Sequence, residues 1–261
     1  MDPREAHEAL NIRGSFLKKR VLQEIYDNIP GLSIFDEEIG MSYGQSRAAD
    51  IICFHSTSAG NVFYVLECKR VAPGPEWLFL RHIAPNYREL RLVARGGLIG
   101  GLVEVPANSH LVCSEGYETT GGDAAGRTLV DDPVLQAANQ LSGAYLGFVK
   151  WVKEKRIKAR MAFVPVLVTT TPLQIADFSW DKVELSSGLL MEPLKVRKVD
   201  WLVLKHPFPK PAGEAEDFRL EDEPLMSTQA IAESVYVVQA GALKSFFSSK
   251  RMKRFGELLG S

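Results

Sequence analysis

The chain has 261 residues, 46% apolar, 24% charged and 9% aromatic, with a formal net charge of −1, the composition of a soluble globular protein with enough apolar material for one large core. No 18-residue apolar run marks a membrane span, and the start, Met1 to His7, lacks the basic-then-apolar pattern of a secretory signal, so the expected location is cytoplasmic. Cys53, Cys68 and Cys113 are odd in number and nowhere spaced C-x-x-C, which indicates neither a disulfide framework nor a thiolate zinc site.

A helix is expected over 2–29, where Leu17, Val21, Ile25 and Ile29 recur every fourth residue before Pro30 and Gly31 end the element. Glu24 flanks that stripe, either as an ion pair with Arg20 one turn earlier or facing the site described below. A first strand follows over 32–42, then two more over 50–55 and 62–71, joined by small polar residues suited to a hairpin. The segment 73–131 reads as an insertion with short strands at 98–105 and 110–113. Its paired glycines at 96–97 and 100–101 read as turns around a strand, since no G-K-[ST] follows, and 116–127 reads as a flexible loop.

A second helix starts from Asp132 as N-cap and Pro133 at the first helical position. Gln136 and Gln140 share one of its faces, while Leu141, Tyr145, Phe148 and Val152 form its apolar stripe. Residues 161–170 read as a buried strand whose Pro165 suggests an edge or a bulge. Further strands are expected at 200–205 and 234–239, a proline-rich acidic excursion at 207–224, and a closing helix over 240–259 with a basic outer face.

The third strand ends unusually. Five apolar residues, Val62 to Leu66, run into Glu67, Cys68 and Lys69. Side chains alternate across a strand, so Glu67 and Lys69 share one face and Cys68 takes the other. Asp50 opens the preceding apolar run, and a hairpin brings it close to Glu67. Two carboxylates and an ammonium in one crevice suggest a divalent metal site with a cationic helper, Asp50 and Glu67 as ligands and the backbone carbonyl of Cys68 as a further one.

A helix, three strands with an acid opening the second and E-x-K ending the third, then a helix and a strand, resembles the PD-(D/E)XK nuclease superfamily. The resemblance covers about 17–170. It implies an α/β fold with a restriction endonuclease-like core: a central mixed sheet flanked by helices, in a single domain with its core at about 14–170, an insertion at about 73–131 and a C-terminal extension at about 171–261. Asp50 would be the motif aspartate, Glu67 the second acid and Lys69 the lysine, with Ala49 standing where the family name has proline. Glu24 matches the first-helix acid of some branches. Gln140 is similar to the glutamine of the following helix in the exonuclease branch, although it precedes Tyr145 by five residues rather than four.

The activity so implied is metal-dependent phosphodiester hydrolysis, as an endodeoxyribonuclease of restriction or DNA-repair type, with Mg2+ as cofactor, Mn2+ as a substitute and double-stranded DNA as partner. A homodimer is the default such enzymes carry. The near-neutral total charge conceals two basic clusters, at 150–160 and 244–254, and an acidic run at 214–223. Lys150, Lys153, Lys155, Arg156, Lys250, Arg251, Lys253 and Arg254 would contact nucleic-acid phosphates. The competing reading is a catalytically inactive module of the same fold that binds nucleic acid or a protein. A cysteine hydrolase using Cys68 with His55, His82 or His110 would need Cys68 to face a cleft, against its strand phase.

Overall fold

A computed structural model describes Asp2 and residues 15–37, 49–57, 60–82, 88–95, 98–106, 111–119, 133–155, 161–206 and 234–249. Helix α1 (Ser15–Asn28) buries Leu17, Val21 and Ile25, the stripe expected from their spacing. It stops at a turn where Gly31 has φ +84°, and a side chain there would press on the His55 ring at 3.3 Å. The residues before Ser15 in the expected helix lie outside the described ones, apart from Asp2.

Strands β1 (Leu32–Glu37), β2 (Ile51–Thr57) and β3 (Gly60–Lys69) form an antiparallel meander. After an excursion the chain enters α2 (Pro133–Glu154) and then β9 (Met161–Thr169), which pairs in parallel with β3 from Asn61↔Met161 to Lys69↔Thr169. The main sheet continues through β13 (Ser234–Gln239) and β12 (Trp201–Lys205) to β7 (Val112–Cys113) in the order β1-β2-β3-β9-β13-β12-β7, with the hairpin β5 (Arg88–Arg95) and β6 (Leu98–Pro106) joined to β9. The protein is thus α/β, with a mixed central sheet flanked by helices.

The two faces of this sheet are covered differently. On one lie α1 and the short α3 (Leu243–Phe247), packed on Ile51, Cys53, Val62, Tyr64 and Leu66. On the other lies α2, packed on Ile52, Phe63, Val65, Phe163 and Leu167. Phe148 anchors it, its ring centroid 5.3 Å from that of Phe63 and 5.8 Å from that of Phe163. Since β3 and β9 are parallel, the helix between them in the chain runs back against both. Its first turns therefore lie over the C-terminal ends of the strands, where β3 carries Glu67 and Lys69.

A second, four-stranded sheet has the order β11-β10-β4-β8, built from β4 (Glu76–His82), β8 (Glu115–Thr119), β10 (Leu173–Phe178) and β11 (Lys195–Val199). Its Trp77, Phe79, Leu173 and Ile175 join the core around α2. Arg81, buried there, is neutralised by Asp177 directly opposite on β10.

Several local expectations are corrected. Gly100 and Gly101 lie inside β6 rather than at a turn. Residues 116–119, the start of the flexible loop expected over 116–127, belong to β8, and Gly116 is there for proximity: a Cβ would sit 2.5 Å from the Phe79 ring and 3.0 Å from Val134. Gly116→Ala should therefore lower stability by about 1–3 kcal/mol through overpacking, read as a lower urea midpoint at unchanged slope. Pro165 sits in an interior, wholly buried strand. On the side away from β3, β5 pairs with Met161 and Ala162 and β13 begins at Val166, so the missing N–H falls between two neighbours instead of at a sheet edge. The closing helix ends at Phe247, capped by Ser248, well short of the length expected. The rest of that expectation, and the excursion at 207–224, lie outside the described residues. Among the described residues no helix is long and apolar enough to cross a membrane.

Candidate metal centre at the end of the third strand

Strand phase fixes the geometry. Phe63 and Val65 pack on the α2 side, Val62, Tyr64 and Leu66 on the α1 side, and β3 remains extended through Lys69. Glu67 and Lys69 therefore continue the α2 side, while Cys68 packs with the α1-side core. All three residues are half-buried.

The hairpin ladder runs as far as Ile51↔Leu66, and Asp50 lies one residue beyond it, beside the end of β3 that carries Glu67. The Asp50 carboxylate is held in place: its Oδ2 accepts the backbone N–H of Cys68 at 2.8 Å. In an extended strand the N–H and C=O of one residue point to the same edge, so the Cys68 carbonyl also leans toward Asp50 and away from β9. The bond from the Cys68 N–H orients the Asp50 carboxylate at the strand end.

This donor set fits a hard divalent cation. Magnesium keeps several waters and is held through one or two carboxylates; Asp50 and Glu67 are the residues here that would hold it, with the Cys68 carbonyl as a neutral oxygen. Among the described residues no group of three or more His, Cys, Asp or Glu side chains that could hold a metal ion comes together.

Burial, reinforced by the charges of Asp50 and Glu67 and partly offset by Lys18, pushes the Cys68 thiol well above its usual range. It is a neutral thiol, unsuited to nucleophilic attack. His55, one candidate base for a cysteine mechanism, is exposed and bonded through Nδ1 to the Gly31 carbonyl at 2.8 Å; His82 lies at the end of β4, and His110 lies outside the described residues. Burial also raises Cys53, and Cys113 is pushed up to about 12. Because the folded-state values exceed the unfolded thiol value of about 8.5, the stability tied to these protonated thiols is complete below that pH and is lost above it. The unfolding free energy from urea titration should stay flat from about pH 7 to 8 and fall by pH 9.5, with a slope up to about 1.4 kcal/mol per pH unit for each thiol.

The other expected site residues are placed unequally. Gln140 is half-buried on α2, eight residues before Phe148 and so about 12 Å nearer the helix start. Glu67 is four residues beyond Phe63, about 13 Å along the strand. Gln140 thus lies level with the acid–lysine end. Glu24 is on α1, across the sheet from the face of Glu67 and Lys69, and its Oε2 is paired with Arg20 at 3.0 Å. Lys150 and Lys153 fall in the last turns of α2, Lys153 about 20 Å along the helix from Gln140, so α2 carries them away from the site. Lys155, just past the helix, is exposed; Arg156, Lys250, Arg251, Lys253 and Arg254 lie outside the described residues.

Two features of the site escape a reading of motifs. Lys18 acts electrostatically on the Cys68 thiol together with Asp50 and Glu67, yet in the sequence it is one of three consecutive basic residues. β9 ends at Thr169 beside Lys69, and Thr170 and Thr171 follow it, with Thr169 and Thr171 buried. A polar triplet directly after an apolar run was the available signal. No protein-family model, curated protein or solved structure matches this chain.

Proposed function

We propose that this chain is a metal-dependent nuclease that hydrolyses phosphodiester bonds, an endodeoxyribonuclease of restriction or DNA-repair type, with a restriction endonuclease-like core. The observation that carries the reading is the bond from the Cys68 N–H to the Asp50 carboxylate at 2.8 Å, which holds Asp50, the residue before β2, at the end of β3 where Glu67 and Lys69 share a face.

In this reading Asp50 and Glu67 hold Mg2+, or Mn2+ in its place, at the C-terminal end of β3. A divalent ion held there supplies Lewis acidity, making water a stronger acid and offsetting the charge of the phosphate. The N–H of Cys68 keeps Asp50 aimed at the site. Lys69, next to Glu67 on the same face, directs the attacking water and stabilises the negative charge that grows on the phosphate oxygens. Gln140, level with this end, is placed to hold water or substrate by hydrogen bonds. Lys150, Lys153 and Lys155, away from the chemistry, suit contacts to phosphates further along a duplex.

The experiment is a cleavage panel with the full chain on plasmid, linear duplex, branched and single-stranded substrates in magnesium, manganese or chelator. Discrete plasmid fragments that require the metal support an endodeoxyribonuclease. A folded chain that cuts none of them rejects the reading.

A further inference from the structure

The acid–lysine end of β3 coincides with a crossing between the two sheets. β3 and β9 leave the main sheet side by side at Lys69↔Thr169, and their continuations β4 and β10 pair again in parallel at Trp77↔Leu173. The β9 side makes the crossing in three residues, 170–172, whereas the β3 side takes six, 70–75. The surplus leaves the strand as an arch that begins directly after Lys69, has Ala72, Pro73 and Gly74 exposed, and turns through Gly74 at φ +116°.

Both feet of this arch are tied by threonines. Thr170 Oγ1 accepts the Val71 N–H at 3.0 Å and donates its proton to the Val71 carbonyl at 3.2 Å. The Thr170 N–H reaches the Lys69 carbonyl at 3.4 Å. At the far foot Thr171 Oγ1 donates to the Pro75 carbonyl at 2.7 Å, and its N–H is held by Thr169 Oγ1 at 3.3 Å. Trp77 N–H then bonds the Pro172 carbonyl at 3.0 Å, restarting the ladder. Each tie is a side-chain or backbone bond where regular pairing is interrupted, so without them Lys69 would end a strand frayed on that side.

We infer that Thr170 is a positioning residue for Lys69: its hydroxyl clamps the near foot of the arch and fixes the direction in which the lysine leaves the strand. The inference rests on the nuclease reading and assigns a role to a residue outside the D…E-x-K pattern. A hydroxyl bonded to both the N–H and the C=O of Val71 holds the two peptide groups that flank that residue, which a methyl group of equal size does not.

The test uses the full chain, supercoiled plasmid DNA and magnesium, with Thr170→Val and Thr170→Ser compared to the parent. Valine keeps the volume and removes the hydroxyl; serine keeps the hydroxyl. Thr170→Val should lower turnover at saturating plasmid about 10-fold, with the half-saturating concentration changed less than about two-fold. Thr170→Ser should restore turnover, and the Val71 amide should exchange faster in the valine variant alone. A valine variant that turns over like the parent, or a serine variant as slow as the valine one, overturns the inference while leaving the nuclease reading intact. A parent that cuts no substrate of the panel removes the nuclease reading and this inference together; a Val71 amide still protected by the Thr170 hydroxyl then locates the failure in the chemistry assigned, with the clamp itself formed.

Discussion

Asp50→Asn should reduce metal-dependent cleavage on the order of 10³-fold, equivalent to about 4 kcal/mol of transition-state stabilisation, while the protein remains folded. The substitution is nearly isosteric. Asn keeps an oxygen that can accept the Cys68 N–H, the bond that Asp50 Oδ2 makes at 2.8 Å, so the hairpin end retains its tie. What disappears is a negative charge beside the strand end that carries Glu67, and with it one of two anionic donors for a divalent ion. Cleavage by a chain with unchanged circular dichroism and urea midpoint checks both halves of the expectation. A variant that cuts at the parental rate would remove Asp50 from the chemistry.

If the proposed role holds, Lys69→Met should lower turnover about 10²-fold and leave metal affinity unchanged, as for a helper beside the ligands rather than one of them. Methionine preserves much of the half-buried stem, so the loss reports on the ammonium. The contrast is diagnostic. Asp50→Asn weakens both ion binding and cleavage, whereas Lys69→Met separates them. Equal damage to ion binding in both variants would mean that Lys69 holds the strand end together instead of acting on the phosphate.

The elements that position the site were legible because they are local. Asp50 immediately precedes β2 and Glu67 lies in β3, the two strands of one short hairpin, and alternation alone assigns Glu67 and Lys69 to one face and Cys68 to the other. The helix that covers them shows its start through Pro133 and its buried side through Leu141, Tyr145 and Phe148. The second sheet was not legible, for the opposite reason: β4 pairs with β10, nearly a hundred residues away, and neither strand signals a partner at that distance. Gly116 looked like loop flexibility, but its value is the space it leaves for Phe79 and Val134. Pro165 pointed to an edge because a proline cannot complete a ladder, and sequence holds no record that two different strands meet on that side. Glu24 had two readings, and the Arg20 pair at 3.0 Å is the one formed.

Nuclease and inactive binding module differ most directly in whether the Asp50–Glu67 pair takes up a divalent ion. Manganese titration of the folded parent and of Glu67→Gln, followed by electron paramagnetic resonance, measures this without any choice of nucleic acid. The account predicts saturable manganese binding by the parent, competed by magnesium and lost in Glu67→Gln; a parent that binds no manganese, or a variant that binds it as well as the parent, would contradict it.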